Sequence, residues 1–239
     1  MGERITLIIP AKNAAESIDG CLKSIALQTR TAERIILVDD YSTDKTVALV
    51  EVWKDRLPLT IIRNPKPESA DSRGASIARN VGASGIHDGY LFFCDADTIL
   101  EPDTLERLSN ALDMHPYMSF AYGPFIFGDR FFHVPRFSLR LLEIQNYIPT
   151  MALLRARDFT GFDESLPRFQ DWEIWLRLAR AGKQGIRVKG SLYSTPIREH
   201  SISAATSGIL EEDFRKRFQL PGSSAIKRFL FKLYLRLPL

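Results

Sequence analysis

Apolar runs closed by polar or charged residues recur along the first hundred positions. Residues 5–10 (ITLIIP), 34–40 (RIILVDD), 59–64 (LTIIRN) and 90–94 (YLFFC) are too continuous for half-exposed strands and predict buried ones. Between them the period changes. Residues 16–28 carry Ile18, Cys21, Leu22, Ile25 and Ala26 at helical spacing. Ser42 is placed to cap a helix over 43–55 whose inner face is Val47, Val50 and Trp53, and 76–83 predicts a third helix. This βαβαβαβ order predicts an α/β fold, a doubly wound sheet with parallel strands and right-handed crossovers. The segment 64–74, NPKPESADSRG, predicts a mobile loop.

Beyond Pro102 an amphipathic helix turns Leu105, Leu108 and Leu112 to one side. Residues 119–128 (SFAYGPFIFG) predict a strand, followed by an irregular, aromatic-rich stretch to Pro149. A helix over 171–181 has Trp172, Trp175, Leu176 and Ala179 inward, and 183–194 holds one or two short strands. No composition shift marks a linker. The expectation is one domain over 1–205, whose two halves divide at about residue 100. A helical appendage over 206–239 follows.

An apolar fraction of 45% and a charged fraction of 26% are ordinary for a soluble globular protein. A net charge of +3 gives no reason to expect a nucleic-acid partner. Cys21 and Cys94 lack metal-ligand spacing, which predicts buried free thiols in a reducing compartment. The opening MGERITLIIP is too short and charged for a signal peptide, and no apolar run spans a bilayer, so a cytoplasmic protein is expected. Near the C-terminus Arg228, Lys232 and Arg236 form a basic stripe beside Phe229, Leu230, Leu233 and Leu237. It fits either an anionic membrane surface, on the inner face of the cell membrane, or packing on its own domain or a partner.

The polar ends of three runs carry the chemistry. Parallel strands bring their carboxyl ends to one edge, where ligands bind in open α/β sheets. There AKN (11–13), DDYSTD (39–44) and DAD (95–97) should converge, bringing Asp39, Asp40, Asp95 and Asp97 together. Carboxylates this close call for a cation, and hard oxygen donors suit Mg²⁺ or Mn²⁺. The plainer alternative makes Asp97 a helix cap, Asp95 a strand end, and Ser42 and Asp44 turn residues.

These segments resemble the family 2 inverting glycosyltransferases, which have the GT-A fold, a mostly parallel Rossmann-like sheet flanked by helices. The resemblance rests on Pro10 to Asn13 (Pro-x-x-Asn) and on Asp39, Asp40, Ser42 and Asp44 (Asp-Asp-x-Ser-x-Asp). Gly74, Ala78, Arg79 and Asn80 continue it, as do Asp95 and Asp97 (Asp-x-Asp). The segments GFDESLPRFQDWEIWLRLARAG (161–182) and IREHSIS (197–203) complete it, in order, over roughly residues 4–205. The resemblance implies transfer of a sugar from a nucleotide-diphospho-sugar, most simply a UDP-sugar, to a glycan or lipid-linked acceptor in cell-surface polysaccharide assembly. Pro10 and Asn13 would line the donor site. Asp40 or Asp39 would read the base and Asp95 the ribose. Asp97 would hold Mn²⁺ or Mg²⁺, with His200 as a further metal or phosphate contact. A lone His is more often an ordinary residue; its place in Arg-x-His raises it. Arg73 or Arg79 could meet phosphate, and for each a structural role is equally open.

Asp171 is the implied catalytic base, taking the acceptor proton in a direct displacement with inversion. As a plain N-cap it would be unremarkable. The helix N-terminus should keep it ionised and therefore a weak base. The family often has Glu before this Asp, where this chain has Gln170. On the acceptor side His133, Arg136, Arg140 and Asn146 are candidates that nothing in the sequence fixes. Two other readings compete. A haloacid-dehalogenase-type phosphatase would use Asp95 as nucleophile in Asp-x-Asp-x-Thr (Asp95, Asp97, Thr98), but that motif stands at its first strand, whereas here three strands precede it. A non-catalytic nucleotide-sugar binding protein would explain Gln170 but not the retained Asp171. A nucleotidyltransferase is weaker still, for want of a Gly-rich triphosphate loop.

Overall fold

The structure, a computed structural model, describes residues 2–64, 74–196 and 208–221. Arg73, the 197–203 segment with His200, most of the 64–74 loop and the C-terminal basic stripe lie outside the described residues. In chain order the elements are β1 (Ile5–Ala11), α1 (Ile18–Ala26), β2 (Arg34–Asp39), α2 (Thr46–Glu51), β3 (Leu59–Arg63), α3 (Ala75–Ala83), β4 (Tyr90–Phe93), β5 (Ile99–Leu100), α4 (Thr104–Met114), β6 (Phe120–Tyr122), β7 (Phe125–Phe127), β8 (Arg130–Phe132), α5 (Leu139–Ile144), β9 (Leu153–Arg155), α6 (Gln170–Arg180), β10 (Gly185–Arg187), β11 (Tyr193–Thr195) and α7 (Gly208–Arg217).

The four early runs form the expected parallel core, with β1 flanked by β2 and β4, and β3 outside β2. Alternate side chains enter opposite layers. Ile5, Leu7 and Ile9 meet Leu22, Ile25, Leu105 and Leu108 on one face. Ile8, Val38, Leu91 and Phe93 meet Ala78, Trp172 and Trp175 on the other. The α3 helix can lie this close because Gly82 has no side chain; a Cβ there would stand 2.5 Å from a methyl of Ile8.

Four local expectations are corrected. Residues 119–128 are not one strand. The chain breaks at Gly123–Pro124, sending β6 to the seven-stranded sheet and β7 to a second sheet ordered β5-β11-β7-β8. Gly123 sits where a Cβ would press within 2.9 Å of Val188, and Pro124 supplies no ladder N–H. The irregular stretch contains α5 and the hairpin β7–β8, and beyond Pro149 β9 pairs antiparallel with both β4 and β6. Ser42 caps nothing: α2 begins at Thr46, and the Ser42 hydroxyl accepts instead from the Asn13 N–H at 3.0 Å. Ala26 faces solvent; Ser24 and Gln28 hold the buried side of α1, where they hydrogen-bond the β5–α4 backbone.

Because β4 and β6 both run antiparallel to β9, they are parallel to each other, and β10 is parallel to β6. The carboxyl ends of β1, β2, β4, β6 and β10 therefore share one edge of the sheet.

Candidate active site

At the end of β2, Asp39 and Asp40 are both buried, and each is satisfied by nearby donors. Asp39 accepts from the Ser42 N–H at 3.0 Å and from Arg63 Nε at 3.4 Å. Asp40 accepts from the Asn64 side-chain amide at 2.8 Å and from the Gly74 N–H at 3.0 Å. Gly74 is the residue before α3, with φ +90, so Asp40 fastens that helix start to the strand end. The Asn13 side-chain oxygen Oδ1 accepts from the Thr43 N–H at 2.8 Å, with Asn13 itself at φ +48. Asp44 accepts from Ala15 N–H and from Thr46. Burial would raise its carboxyl, but the Thr46 and Ala15 hydrogen bonds hold it below the usual range. The loops after β1 and β2 are thus one cross-linked unit, with half-buried Pro10 at its base.

The cation that two close aspartates require is partly built in. Asp95, at the end of β4, accepts from Arg79 Nη2 at 2.7 Å. That arginine rises from α3, is only 7% exposed, and lies over the Phe162 ring. Asp97 is half-buried in the turn that the Thr98 N–H closes on the Asp95 carbonyl at 3.1 Å. It caps no helix, because β5 intervenes and Asp103 precedes α4. Thr98 is buried, its hydroxyl engaged with Thr195 and Met151. Below the loop Cys21 and Cys94 are buried free thiols, as expected, with sulfurs 3.9 Å apart.

Asp171 is the second residue of α6. The N-cap is Phe169, at φ +64 and without a side-chain cap bond, so the capping alternative for Asp171 does not hold. Its Oδ1 accepts from the Trp172 N–H at 2.8 Å. The expectation of a weak, helix-stabilised base is also corrected. Burial pushes this carboxyl up, outweighing the Asn146 hydrogen bond, the Trp172 N–H and the attraction of Arg79. Asn146, one of the loose acceptor-side candidates, is therefore the partner of Asp171. Gln170 turns its amide to the Leu166 carbonyl at 3.0 Å.

Tyr193 escaped the sequence reading, and Asn80 was part of a motif with no contact assigned to it. Tyr193 is buried with a hydroxyl that has no hydrogen-bond partner among the described residues. Burial and the negative charges of Asp95 and Asp171 push its phenol well up. Asn80 bonds the Phe162 N–H at 2.7 Å, the Phe162 carbonyl at 3.0 Å and Glu164 at 2.8 Å. It ties the 161–164 segment to α3, one residue from Arg79. The Gly-x-x-x-Ala-Arg-Asn pattern held both residues without showing which loop Asn80 would grip.

Among the described residues no group of three or more His, Cys, Asp or Glu could hold a metal ion. The two-carboxylate turn still fits Mg²⁺ or Mn²⁺, which usually take one or two protein carboxylates and complete their shell with water and substrate phosphate.

The strand order and the shared carboxyl edge define an α/β fold of the GT-A kind. A family model described as "Glycosyl transferase family 2" matches residues 6–167, and the chain belongs to that family. An uncharacterized glycosyltransferase of Haemophilus influenzae is 29% identical over 120 residues, covering 50% of this chain and 38% of the relative. A teichoic acid poly(glycerol phosphate) polymerase of Staphylococcus epidermidis is 28% identical over 249 residues, covering 94% of this chain and 33% of the relative. The chain thus spans well under half of these relatives. Among solved structures, S. aureus TarS 1–349 in complex with UDP-GlcNAc aligns with TM-score 0.72 at 20% identity, covering 97% of this chain and 71% of that one. The mannosyltransferase PcManGT of Pyrobaculum calidifontis, in complex with GDP-Man and Mn²⁺, aligns with TM-score 0.68 at 19% identity, covering 99% and 71%. These likenesses show the GT-A fold.

Proposed function

We propose that this chain is an inverting glycosyltransferase that moves a sugar from a nucleotide-diphospho-sugar to a glycan or lipid-linked acceptor in cell-surface polysaccharide synthesis. The observation that carries the reading is the pairing of unlike carboxylates on one sheet edge. Asp95 is held by Arg79, while Asp171 is crowded, raised and served by Asn146. A raised carboxylate is the better proton acceptor. Asp171 takes the proton of an acceptor hydroxyl as that oxygen bonds to the anomeric carbon. The bond from that carbon to the diphosphate breaks on the opposite face, and its electron pair leaves with the nucleotide. One base and no enzyme nucleophile give inversion.

Asp95 would face the ribose, and Asp39 or Asp40 the base, within the loop unit that Pro10 and Asn13 open. The hydrogen bonds of Asp40 to Asn64 and Gly74 favour Asp39, whose second partner is the exposed Arg63, as the one more easily freed for a base. Asp97 would hold Mn²⁺ or Mg²⁺, with His200 and Arg73 completing the phosphate side. A bound divalent ion would offset the charge gathering on the departing diphosphate. Relatives crystallised with UDP-GlcNAc and with GDP-Man leave two donor nucleotides to separate, and UDP is the one we favour. We further propose one domain over 1–205 with a helical appendage, working in the cytoplasm or at the inner membrane face. Among the described residues no helix is long and apolar enough to cross a membrane.

A thermal-shift titration with UDP, GDP, dTDP and CDP, with and without Mn²⁺, tests the donor side. One nucleotide should raise Tm in a metal-dependent way, and Asp97→Ala should abolish the rise. No shift with any nucleotide would overturn the donor reading.

A further inference from the structure

Arg187 ends β10, on the sheet edge where β4 delivers Asp95. It is aligned with Tyr122 of β6, so the two side chains leave the same face of the sheet. Phe120, two residues before Tyr122, packs against Trp175 of α6, so this is the face that carries Asp171. The Tyr122 hydroxyl donates to the Pro135 carbonyl at 2.9 Å, which brings the next residue, Arg136, to the same place. Tyr122 also lies against Tyr147, with ring centroids 6.1 Å apart, and Tyr147 follows Asn146, the partner of Asp171. A short chain of contacts therefore joins two guanidinium groups to the proposed base. From β10 to β4 is three strand spacings, about 14 Å, so the pair stands clear of the Asp-x-Asp turn.

Among the described residues neither cation forms an ion pair with a carboxylate. Arg79, Arg155 and Arg215, whose side chains are 5–7% exposed, each hold a carboxylate. Arg187 is half-buried, and its Nε is fully shielded with no hydrogen-bond partner among the described residues. Burial lowers its pKa, Tyr122 raises it and the neighbouring Arg136 lowers it again. A guanidinium does not deprotonate in a protein, so the strain on its charge is relieved by an anion instead. The planar fork of Arg matches phosphate oxygens two at a time.

We propose that Arg136 and Arg187 form an anion subsite that binds a phosphate group of the acceptor while the acceptor hydroxyl meets Asp171. This rests on the transferase reading and narrows it: the acceptor carries phosphate close to the hydroxyl that is glycosylated. That phosphate belongs either to a water-soluble polyol phosphate or to a phospholipid headgroup that also carries a free hydroxyl, as phosphatidylglycerol does.

The test uses the full chain saturated with UDP, so that the donor site is filled. Two probes are titrated separately, glycerol 3-phosphate and phosphatidylcholine vesicles containing phosphatidylglycerol. One of them should bind the wild type, and Arg136→Gln and Arg187→Gln should each weaken it about tenfold or more, with Arg187→Lys recovering part. UDP affinity should not change in any variant. Binding of glycerol 3-phosphate assigns the water-soluble source; binding of vesicles alone assigns the lipid-linked one. If neither probe binds the wild type, or if the double Gln variant binds as well as wild type, the subsite is refuted. Arg136 is exposed, so its variant is expected to fold even if Arg187→Gln does not. A chain that binds glycerol 3-phosphate but no nucleotide would sink the donor reading and leave the subsite standing.

Discussion

Replacing Arg79 by Met isolates the electrostatic core of the site. The substitution keeps an apolar stem against Phe162 and removes the cation 2.7 Å from Asp95. Breaking a fully buried ion pair costs about 3–5 kcal/mol, because the orphaned charge stays desolvated. Here only one partner is deeply buried. Arg79 is 7% exposed but Asp95 is 37%, so water can reach the carboxylate and screens much of that penalty. The discounted cost is about 1–3 kcal/mol, including the lost cation–π contact of roughly 0.5–1 kcal/mol. For a chain of this size that lowers Tm by roughly 2–12 °C. Urea denaturation of wild type, Arg79→Met, Asp95→Asn and the double variant gives the coupling directly. The double variant should be more stable than the sum of the single losses predicts, by about 1 kcal/mol or more. Arg79→Met within ~0.3 kcal/mol of wild type, together with zero coupling, would refute the claim that Arg79 is the fixed counter-ion of this edge.

Asp171 ties stability to pH with a definite sign. Its folded pKa is raised, so the native state holds the proton more tightly than the unfolded chain. Its contribution is fully favourable below the unfolded value of about 4 and is lost as pH rises through the folded pKa. Asp171→Asn should therefore be more stable than wild type at pH 7, with the gap closing near pH 4; chemical denaturation at both pH values checks this. Gly82→Ala would place a Cβ 2.5 Å from Ile8 and 3.1 Å from Val38. Overpacking there should cost about 1–3 kcal/mol in urea melts, and a neutral result would show that α3 can move off the sheet.

The parallel core was legible because β1, β2 and β4 are buried on both faces, so their apolar runs are uninterrupted. The α4 helix was legible because Leu105, Leu108 and Leu112 repeat at its own period. The second sheet was not, since its strands are two or three residues long and exist only by pairing with one another. Likewise β9 is three residues inside MALLR, an apolar run whose antiparallel role is set by β4 and β6. At the site, residue types and strand ends marked Asp39, Asp40, Asp95, Asp97 and Asp171. Partners that arrive from distant chain segments were invisible, among them Arg79 on Asp95 and Asn146 on Asp171. The raised carboxyl of Asp171 was equally invisible, because it follows from burial by elements distant in the chain.

The central claim is that Asp171 deprotonates an acceptor in a single displacement on a nucleotide-sugar. NMR of the product formed from the nucleotide-sugar selected by the binding titration tests it most directly, reading the anomeric configuration for wild type and for Asp171→Asn. The account predicts an inverted anomer from wild type, and from Asp171→Asn a loss of turnover of about 10²-fold or more with donor binding intact. A product of retained configuration, or undiminished turnover in Asp171→Asn, would contradict it.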